Sequence, residues 1–461
     1  MYDFSEIEEI IKNQTFPEFI ENVDFLDFYS QNIRPRKGGG RDRISPKSYE
    51  RQFEKENELI KERCISGEYV FSPYNEKLIL KGRGKLPRVI SVPTVRDRFV
   101  LSLLNRHLQK KLGIHRHTAN SYIKEAKDFI ESNGPLRFFK TDIKSFFDSI
   151  LHDTLANKLK TDVDGVCLYL ILKAIKTPTC EPGFRNVKEN TVGIPQGISI
   201  ASVLSEKYMD TFDRSIKESV IAHKGLYLRY VDDILILCPE DIDWKSIIEG
   251  TIADENLGLK LTPEKTKSGI LSVDYLDYVG YNFTAKGVGV KPVNQRLFSD
   301  RIASRCCKYI KQLRNKHLRP RFLADDNSFT EYSILDINLL ISGFRVDTHN
   351  YGWLPYFQQI TDLSLLYELD VMVKRICKDT PIVGQLNSFV KTYYALRHNS
   401  GLPFVSDFNA ADTVAKKRTI LIKMGRINQS DSFSNEAIDY RFRELLDDLT
   451  RDSKKDMKEL S

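Results

Sequence analysis

YLRYVDDILIL, residues 227–237, places two adjacent aspartates between two short apolar stretches. Both stretches are rich in the aliphatic and aromatic residues that favour strands, so the pattern predicts a hairpin with Asp232 and Asp233 at its turn. Polar pairs also occur at hairpin turns that have no function. The pair indicates a site only if a third carboxylate follows another predicted strand and reaches the same place.

Asp142 is a third carboxylate of this kind, in the stretch LRFFKTDIKSFFDSI at residues 136–150. This stretch predicts a strand over 136–143 and a helix over 146–159, with Asp142 where the strand becomes a helix. The aspartate therefore stands in the same kind of position as the pair in the hairpin.

The helices and strands predicted around the hairpin indicate how Asp142 and the 232–233 turn come together. Residues 199–220 and 244–256 have helical patterns, and the stretch GLKL at 258–261 reads as a short strand. The resulting order of strand, helix, hairpin, helix and strand is the ferredoxin-like arrangement, an antiparallel sheet backed by helices. We expect Asp142 to meet the 232–233 turn at one edge of this sheet.

Clustered carboxylates repel one another unless cations lie between them. Magnesium is the expected cation, because it prefers hard oxygen ligands and keeps positions open for substrate phosphates. Two such ions in one site can activate an attacking hydroxyl and stabilise a departing pyrophosphate. The three aspartates therefore predict nucleotidyl transfer.

Composition sets the broad class of the protein. A chain of 461 residues is longer than one hydrophobic core requires, so two or three subdomains are expected. The formal net charge of +7 favours a polyanionic partner. No apolar run is long enough to span a bilayer, and the opening MYDFSEIEEIIKNQ is acidic and amphipathic, unlike a signal peptide. We therefore expect no membrane association and a cytoplasmic protein.

A basic, glycine-rich stretch, IRPRKGGGRDRISPK, interrupts the helical pattern of the first 62 residues. Three consecutive glycines exclude a regular helix, so we predict a flexible loop that lies along a sugar-phosphate backbone. A solvated linker is the alternative. The cationic side chains of this loop are those of Arg34, Arg36, Lys37, Arg41 and Arg43.

Six stretches stand in order along the chain over about residues 70–285: KLPRVISVPTVRDR, FKTDIKSFFDSI, GIPQGISIASVLS, YVDDILIL, LKLTPEKT and DYVGYNF. Together they resemble the successive motifs of bacterial reverse transcriptases. The resemblance implies an RNA-directed DNA polymerase of the α+β class with a right-hand architecture. Its expected parts are an N-terminal helical extension (1–62), fingers and a ferredoxin-like palm (63–285), a helical thumb (286–375) and a helical C-terminal extension (376–461).

The resemblance also implies roles for individual residues. Asp142, Asp232 and Asp233, with the backbone carbonyl of Ile143, would hold two Mg²⁺ ions, for which Mn²⁺ is a possible substitute. Lys265 would protonate the leaving pyrophosphate, with Lys267 as a rival and a bystander surface lysine as the alternative.

Residues of the fingers and palm would bind the incoming dNTP. Lys77 and Arg88 would grip its triphosphate, although Lys77 is equally consistent with a solvated lysine. Phe147 would exclude a 2′-hydroxyl, unless it is a core residue like Phe146. Two further roles complete the set: Gln196 and Gly197 would contact the nucleotide and template, and Tyr281 in the 278–283 hairpin would grip the primer.

The biological setting rests on the resemblance and on elimination. Group II intron enzymes usually carry additional maturase and endonuclease regions, and the VTG of retron enzymes is missing from the thumb region. The defence-associated and abortive-infection reverse transcriptases remain, which implies a dedicated noncoding RNA as template, a DNA product, and a protein partner or a homo-oligomer. The alternatives are a catalytically silent RNA-binding scaffold and a template-independent or RNA-synthesising polymerase.

Overall fold

The computed structural model describes residues 14–34, 38–80, 86–114, 118–181, 183, 188–284, 286–346, 349–398 and 405–460. The chain divides into two units. Unit 1 comprises residues 1–117 and 139–268, and unit 2 comprises residues 118–138 and 269–461. Among the described residues, we find no helix with the length and apolarity needed to cross a membrane.

The N-terminal part of unit 1 is helical, as predicted, and then forms a hairpin. Polar side chains begin most of its helices, because Thr15, Asp24, Ser45 and Thr94 each accept a backbone N–H from the first turn that follows. The elements are α1 (Phe16–Asn22), α2 (Phe25–Asn32), α3 (Pro46–Tyr49), α4 (Phe53–Ser66), the antiparallel strands β1 (Tyr74–Ile79) and β2 (Arg88–Val92), and α5 (Val95–Leu112).

Helix α5 lies in the core of unit 1 and carries a buried acid in its first turn. Asp97 is fully buried, and its carboxylate accepts hydrogen bonds from the Tyr69 hydroxyl (2.8 Å), the Thr94 hydroxyl (2.7 Å) and the Ser72 backbone N–H (3.1 Å). These donors join the segment before β1 to the start of α5. Asp97 is therefore a structural residue.

The middle of the chain contains the predicted sheet and its helices. The predicted helix over 146–159 is interrupted at residues 150–151, where Leu151 pairs with Val192 in an isolated bridge. The elements are α6 (Ala119–Ser132), β3 (Arg137–Asp142), α7 (Phe146–Ser149), α8 (His152–Leu159), α9 (Gly165–Lys176), β4 (Thr179–Cys180), α10 (Ala201–Ala222), β5 (Leu226–Tyr230), β6 (Asp233–Cys238), α11 (Trp244–Asp254) and β7 (Lys267–Ile270).

Four of these strands form a sheet in the order β5-β6-β3-β7. The first strand along the chain, β3, thus lies between the second strand of the hairpin and the last strand, which confirms the predicted ferredoxin-like order. The prediction of GLKL as the last strand was wrong. That stretch contributes one bridge, between Leu261 and Ile143, and the ladder continues only at Lys267–Ile270.

Unit 2 is mainly helical, as predicted, and also contains two small sheets. The predicted 278–283 hairpin belongs to a three-stranded antiparallel sheet. Trp353 is buried and stacks on Phe298 with ring centroids 4.2 Å apart, so it is a core residue. The elements are β8 (Leu276–Tyr278), β9 (Tyr281–Thr284), β10 (Gly287–Val290), α12 (Pro292–Arg314), α13 (Asp326–Ser342), β11 (Phe344–Val346), β12 (His349–Tyr351), α14 (Trp353–Tyr356), α15 (Ser364–Ile376), α16 (Phe389–Arg397), β13 (Ser406–Asp407), α17 (Val414–Lys423) and α18 (Asn435–Leu460).

Candidate active site

The β5–β6 hairpin has a turn of two residues. Tyr230 pairs with Asp233, which leaves Val231 and Asp232 between the strands. Val231 has a φ of 60°, a left-handed conformation that is strained for a β-branched residue. The backbone carbonyl of Asp232 accepts a hydrogen bond from the N–H of Ile143 (2.9 Å), so the turn is joined directly to the end of β3.

Asp142 lies at that end of β3, and its carboxylate has two partners from the segment after α11. Thr262 donates its hydroxyl to Oδ1 (3.0 Å), and the ammonium of Lys265 donates to Oδ2 (2.6 Å). The Thr262 backbone N–H also donates to the Asp142 carbonyl (2.8 Å). The side chain of Asp142 is only 13% exposed, whereas that of Lys265 is 59% exposed. Lys265 therefore approaches a buried carboxylate from the solvent side.

The pKa shifts in the site reflect this crowding of charge. Burial raises the pKa of the Asp232 carboxyl, and the charge of Asp142 raises it further, while Lys265 and Arg88 act in the opposite direction. Burial alone would lower the pKa of Lys265, but its hydrogen bond to Asp142 and the charges of Asp142, Asp232 and Asp233 raise it overall. Two carboxylates thus repel each other beside the exposed ammonium group of Lys265.

We call Asp142, Asp232 and Asp233 the carboxylate edge. The third member, Asp233, lies 3.5 Å from the ammonium of Lys140 through Oδ2. The donors are carboxylate oxygens, two of the acids interact electrostatically, and the ammonium that offsets Asp142 sits on an exposed side chain. An oxygen-rich, negatively charged group of this kind fits divalent cations such as Mg²⁺.

The predicted triphosphate-binding residues share one face of the β1–β2 hairpin. Lys77 pairs with Ile90 and Ile79 pairs with Arg88, so both cations lie on the same side of the ladder as diagonal neighbours. Both side chains are exposed. Arg88 also acts electrostatically on Asp232, which places it near the carboxylate edge.

Phe147 and the GIPQG segment come together beside α7. The Ile194 N–H donates to the Phe147 carbonyl (2.8 Å), and the Gln196 amide donates to Asp148 (3.4 Å). The buried ring of Phe146 belongs to the core, whereas the Phe147 ring is only half-buried and packs against the rim of that core. The two phenylalanines therefore occupy different environments.

Gly197 is required where the GIPQG segment crosses β2. Its φ is 106°, and a Cβ there would lie 2.7 Å from Cγ2 of Ile90 and 2.9 Å from the Ser91 carbonyl. The Ser91 N–H donates to the carbonyl of Gln196 (2.7 Å). Gln196 and Gly197 are thus fixed against the same hairpin that carries Lys77 and Arg88.

The described cations of the predicted basic loop have partners within unit 1 or are exposed, and contact of the loop with a sugar-phosphate backbone remains a prediction. Arg34 lies 3.5 Å from Glu50, and Arg41 donates to the Sγ of Cys180 (3.0 Å). Arg43 is exposed, with a φ of 57°. The remaining two predicted cations, Arg36 and Lys37, lie outside the described residues.

Tyr281 is not at the surface of unit 2. It is fully buried, donates its hydroxyl to the carbonyl of Tyr356, and packs on Phe357 with ring centroids 4.9 Å apart. The structure therefore gives this side chain a packing role. A direct contact with a primer remains a prediction that this burial disfavours.

Three residues of the site were missed in the sequence. Lys140 and Thr262 contact the carboxylate edge, and Arg229 contacts the backbone of its turn. No local pattern in the sequence singles out Arg229, because its partners Glu206 and Asp213 lie on helix α10 and are brought to it only by the fold.

A second group of possible metal ligands lies in the helical core of unit 1. His107, Asp164 and Cys167 bring potential ligand atoms within 4.8 Å of one another. Both oxygens of Asp164 already accept backbone N–H groups, from Cys167 (2.9 Å) and Phe16 (2.8 Å), at the starts of α9 and α1. Asp164 is thus a cap for two helices, and we interpret the group as structural.

Residues 79–283 match the family described as reverse transcriptase (RNA-dependent DNA polymerase). The chain therefore contains a reverse transcriptase domain, and all three aspartates of the carboxylate edge lie within it. Together with the sheet order, the match confirms the predicted α+β fold with a ferredoxin-like palm.

Proteins with similar sequences share about half of this chain. Protein YkfC of Escherichia coli is 23% identical over 236 residues, which are 48% of this chain and 60% of YkfC. The telomerase reverse transcriptase of Takifugu rubripes is 24% identical over 50% of this chain and 20% of its own length. A 91 kDa protein in the cob intron of Schizosaccharomyces pombe is 25% identical over 47% of this chain and 28% of its own length.

The matched segment thus spans 60% or less of each of these relatives. Among solved structures, apo telomerase from Candida Tropicalis aligns with 81% of this chain and 69% of its own chain, with 14% identity and a TM-score of 0.41.

Proposed function

We propose that the protein is an RNA-directed DNA polymerase that adds dNTPs to a growing DNA strand. The observation that supports this most strongly is the convergence of Asp142 with the Asp232 turn inside a reverse transcriptase domain. Lys265 and Arg88 act electrostatically on the same acids. An acidic centre flanked by cations suits a reaction in which a triphosphate is bound and pyrophosphate departs.

Asp142, Asp232 and Asp233, with the carbonyl of Ile143, would hold two Mg²⁺ ions. When bound, such ions lower the pKa of the attacking 3′-hydroxyl and neutralise charge on the leaving pyrophosphate. The carboxylates supply fixed oxygen ligands for this purpose. Their mutual repulsion in the protein alone makes cation binding favourable.

Side chains around the carboxylate edge would orient the nucleotide. Arg88 and Lys77 project from one face of the hairpin and would bind the phosphates. Lys265 is kept protonated by its acidic neighbours, so it can donate a proton to pyrophosphate as it leaves. Phe147 would lie against the sugar and exclude a 2′-hydroxyl, with Gln196 and Gly197 shaping the adjoining surface.

The template and setting are further parts of the proposal. We infer a noncoding RNA template and a role in bacterial antiphage defence, supported by the resemblance of the six motifs to compact bacterial reverse transcriptases. The net charge of +7 and the exposed Arg34 and Arg43 favour contact with RNA. Sequencing the nucleic acid that copurifies with the protein would test this part, since a single abundant RNA and its complementary DNA are expected.

Primer extension tests the proposed activity. Wild-type protein should extend a DNA primer on an RNA template with Mg²⁺ and dNTPs, and Asp233→Asn should abolish extension while RNA binding persists. Asp153→Asn, which changes an exposed acid outside the carboxylate edge, is the matched control and should remain active.

The alternatives predict different outcomes of the same assay. Incorporation of NTPs in preference to dNTPs would indicate RNA synthesis. If wild-type protein binds RNA but incorporates no nucleotide with Mg²⁺ or Mn²⁺, the polymerase proposal is wrong and a binding scaffold is supported.

A further inference from the structure

The turn that presents Asp232 is strained and needs support. Hairpin turns of two residues place positive φ at their first central position, where glycine is preferred. In this protein that position is Val231, with a φ of 60°. Because valine disfavours this conformation, interactions elsewhere must hold the turn in place.

Arg229 supplies such an interaction from within β5. It is 5% exposed, and its Nη1 donates to the carbonyl of Val231 (2.8 Å), which belongs to the peptide group that precedes Asp232. The Ile143 N–H binds the carbonyl that follows, on Asp232 itself. The backbone is thus held on both sides of the Asp232 side chain.

The guanidinium is itself fixed by acids on helix α10. Nε and Nη2 bind the two carboxylate oxygens of Asp213 at 2.8 and 2.6 Å, and Nη2 also binds Glu206 at 2.6 Å. The hydroxyl of Tyr227 donates to Asp213 (2.7 Å). Because the guanidinium is planar and binds Asp213 through two nitrogens, it has one orientation. The α10 acids therefore fix the direction in which Nη1 donates to the Val231 carbonyl.

We propose that Arg229 is a positioning residue. Its bonds to α10 on one side and to the Val231 carbonyl on the other hold the strained turn in one conformation, which places the Asp232 carboxylate to bind a divalent cation. The inference deepens the proposed function and rests on it. Arg229 does not touch the substrate, because its donors are directed at α10 and at the turn backbone.

Arg229→Lys is the first test, because lysine keeps the charge but cannot bind Asp213 in two places and Val231 as well. We expect about a tenfold or greater loss of Mn²⁺ affinity, the size of effect seen when groups that orient metal ligands are changed. The measurement is an electron paramagnetic resonance titration of the protein with Mn²⁺ in the absence of nucleotide and nucleic acid. Mg²⁺ dependence of single-nucleotide incorporation is the second readout.

Arg319→Lys is the matched control. Arg319 is a similarly buried arginine in unit 2 that binds a carboxylate, on Asp326 (2.6 Å), and a backbone carbonyl, on Gln312 (3.0 Å). It should lower the midpoint of thermal unfolding to a similar degree and leave Mn²⁺ affinity unchanged. Equal losses of Mn²⁺ affinity in both variants would overturn the proposal, since they would indicate general destabilisation.

Val231→Gly provides a rescue. Glycine adopts the positive φ without strain, so the turn should depend less on Arg229, and the double variant should recover most of the lost Mn²⁺ affinity. Failure of this rescue, or wild-type Mn²⁺ affinity in Arg229→Lys, would overturn the proposal. If Arg229→Lys does not fold, Asp213→Asn removes one anchor and should show the same effect, with the same rescue.

The proposed function can fail separately. Asp232→Asn identifies the Mn²⁺ that binds at the carboxylate edge. If wild-type protein binds Mn²⁺ there and yet extends no primer, the polymerase proposal is wrong, while the comparison of Arg229→Lys with Arg319→Lys still decides the role of Arg229.

Discussion

Asp97 and Asp232 are both acids of unit 1 whose pKa is raised by burial. Around Asp97, three donors from Tyr69, Ser72 and Thr94 satisfy the carboxylate within the protein. These neutral donors belong to the fold itself, so the Asp97 carboxylate has hydrogen-bond partners without a bound ligand. A buried acid of this type contributes to stability.

The carboxylate edge is organised differently. Asp232 faces the charge of another acid, Asp142, and the ammonium group on the exposed side chain of Lys265 acts on both acids. The turn beneath contains a strained valine, Val231. Repulsion and strain are tolerated here because neighbouring elements hold the geometry, as is typical of sites that bind a ligand. The difference from Asp97 teaches that burial alone does not distinguish a candidate site acid, and that burial beside a like charge is what sets Asp232 apart.

The largest expected effect is the loss of activity on changing Asp232, and it should distinguish Asp232 from Asp97. Asp232→Asn should reduce incorporation by roughly 10³-fold, because transition-state charge loses its fixed electrostatic partner. It should leave the midpoint of thermal unfolding unchanged or raise it, since repulsion from Asp142 is relieved. Primer extension and thermal unfolding monitored by circular dichroism measure the two quantities.

Asp97→Asn should show the converse. The amide cannot accept all three hydrogen bonds, so the expected loss of stability is about 1–3 kcal/mol. The fraction that remains folded should retain activity. An inactive but fully stable Asp97→Asn, or an Asp232→Asn that is destabilised like it, would contradict the distinction between the two regions.

Substitution of Lys265 tests whether the exposed cation at the carboxylate edge takes part in the chemistry. Lys265→Ala should slow single-turnover incorporation by about 10²-fold, within the range for loss of a general acid. Lys267→Ala removes an exposed lysine two residues further along the chain and should change the rate little. Equal effects of the two substitutions would show that Lys265 contributes only general positive charge.

The adjacent Phe146 and Phe147 offer the same contrast between a core residue and a candidate site residue. Phe147→Ala should lower the preference for dNTPs over NTPs by about tenfold to 10²-fold, because the half-buried ring would no longer exclude a 2′-hydroxyl. Phe146→Leu alters the buried neighbour and should lower stability without changing this preference. Competition between dNTP and NTP in one extension reaction measures the preference. An unchanged ratio in Phe147→Ala would make Phe147 a packing residue.

The approach of Asp142 to the 232–233 turn could be predicted because it depends only on strand order. Once β3 lies beside β6, residues at the ends of these strands share one edge of the sheet. The two helices predicted beside the hairpin, at 199–220 and 244–256, also followed from their patterns and are found at Ala201–Ala222 and Trp244–Asp254. These features are encoded locally and repeat over many residues.

Other features depend on contacts between distant residues and could not be predicted in the same way. The break between α7 and α8 at residues 150–151 depends on the bridge from Leu151 to Val192. Strand β7 begins only after a turn that the sequence GLKL does not predict. Arg229 and Lys140 read as ordinary charged strand residues until α10 and Asp233 are placed beside them. The resemblance to reverse transcriptases implied that Tyr281 contacts the primer, yet Tyr281 is buried against Tyr356 and Phe357.

His107 lies in the helical core of unit 1, away from the carboxylate edge. Burial lowers the pKa of its imidazole to about 4, and the charges of Lys111 and Lys110 act in the same direction while Asp164 opposes them. Between the unfolded value of about 6.5 and this value, the unfolded chain binds more protons, so stability is lost as the pH falls. The loss at pH 5 should be about 2 kcal/mol relative to pH 7.5.

His107→Phe should remove most of this pH dependence and make the protein more stable than wild type at pH 5. The new ring would pack beside Phe16 and Phe19, whose centroids lie 5.4 and 5.3 Å from the imidazole. Thermal unfolding at pH 5 and 7.5 measures the difference, and His317→Gln, which changes an exposed histidine, should leave it as in wild type. If His107→Phe keeps the wild-type pH dependence, the acid sensitivity arises elsewhere, with the carboxylate edge as the next region to test, because its titration would then affect stability as well as chemistry.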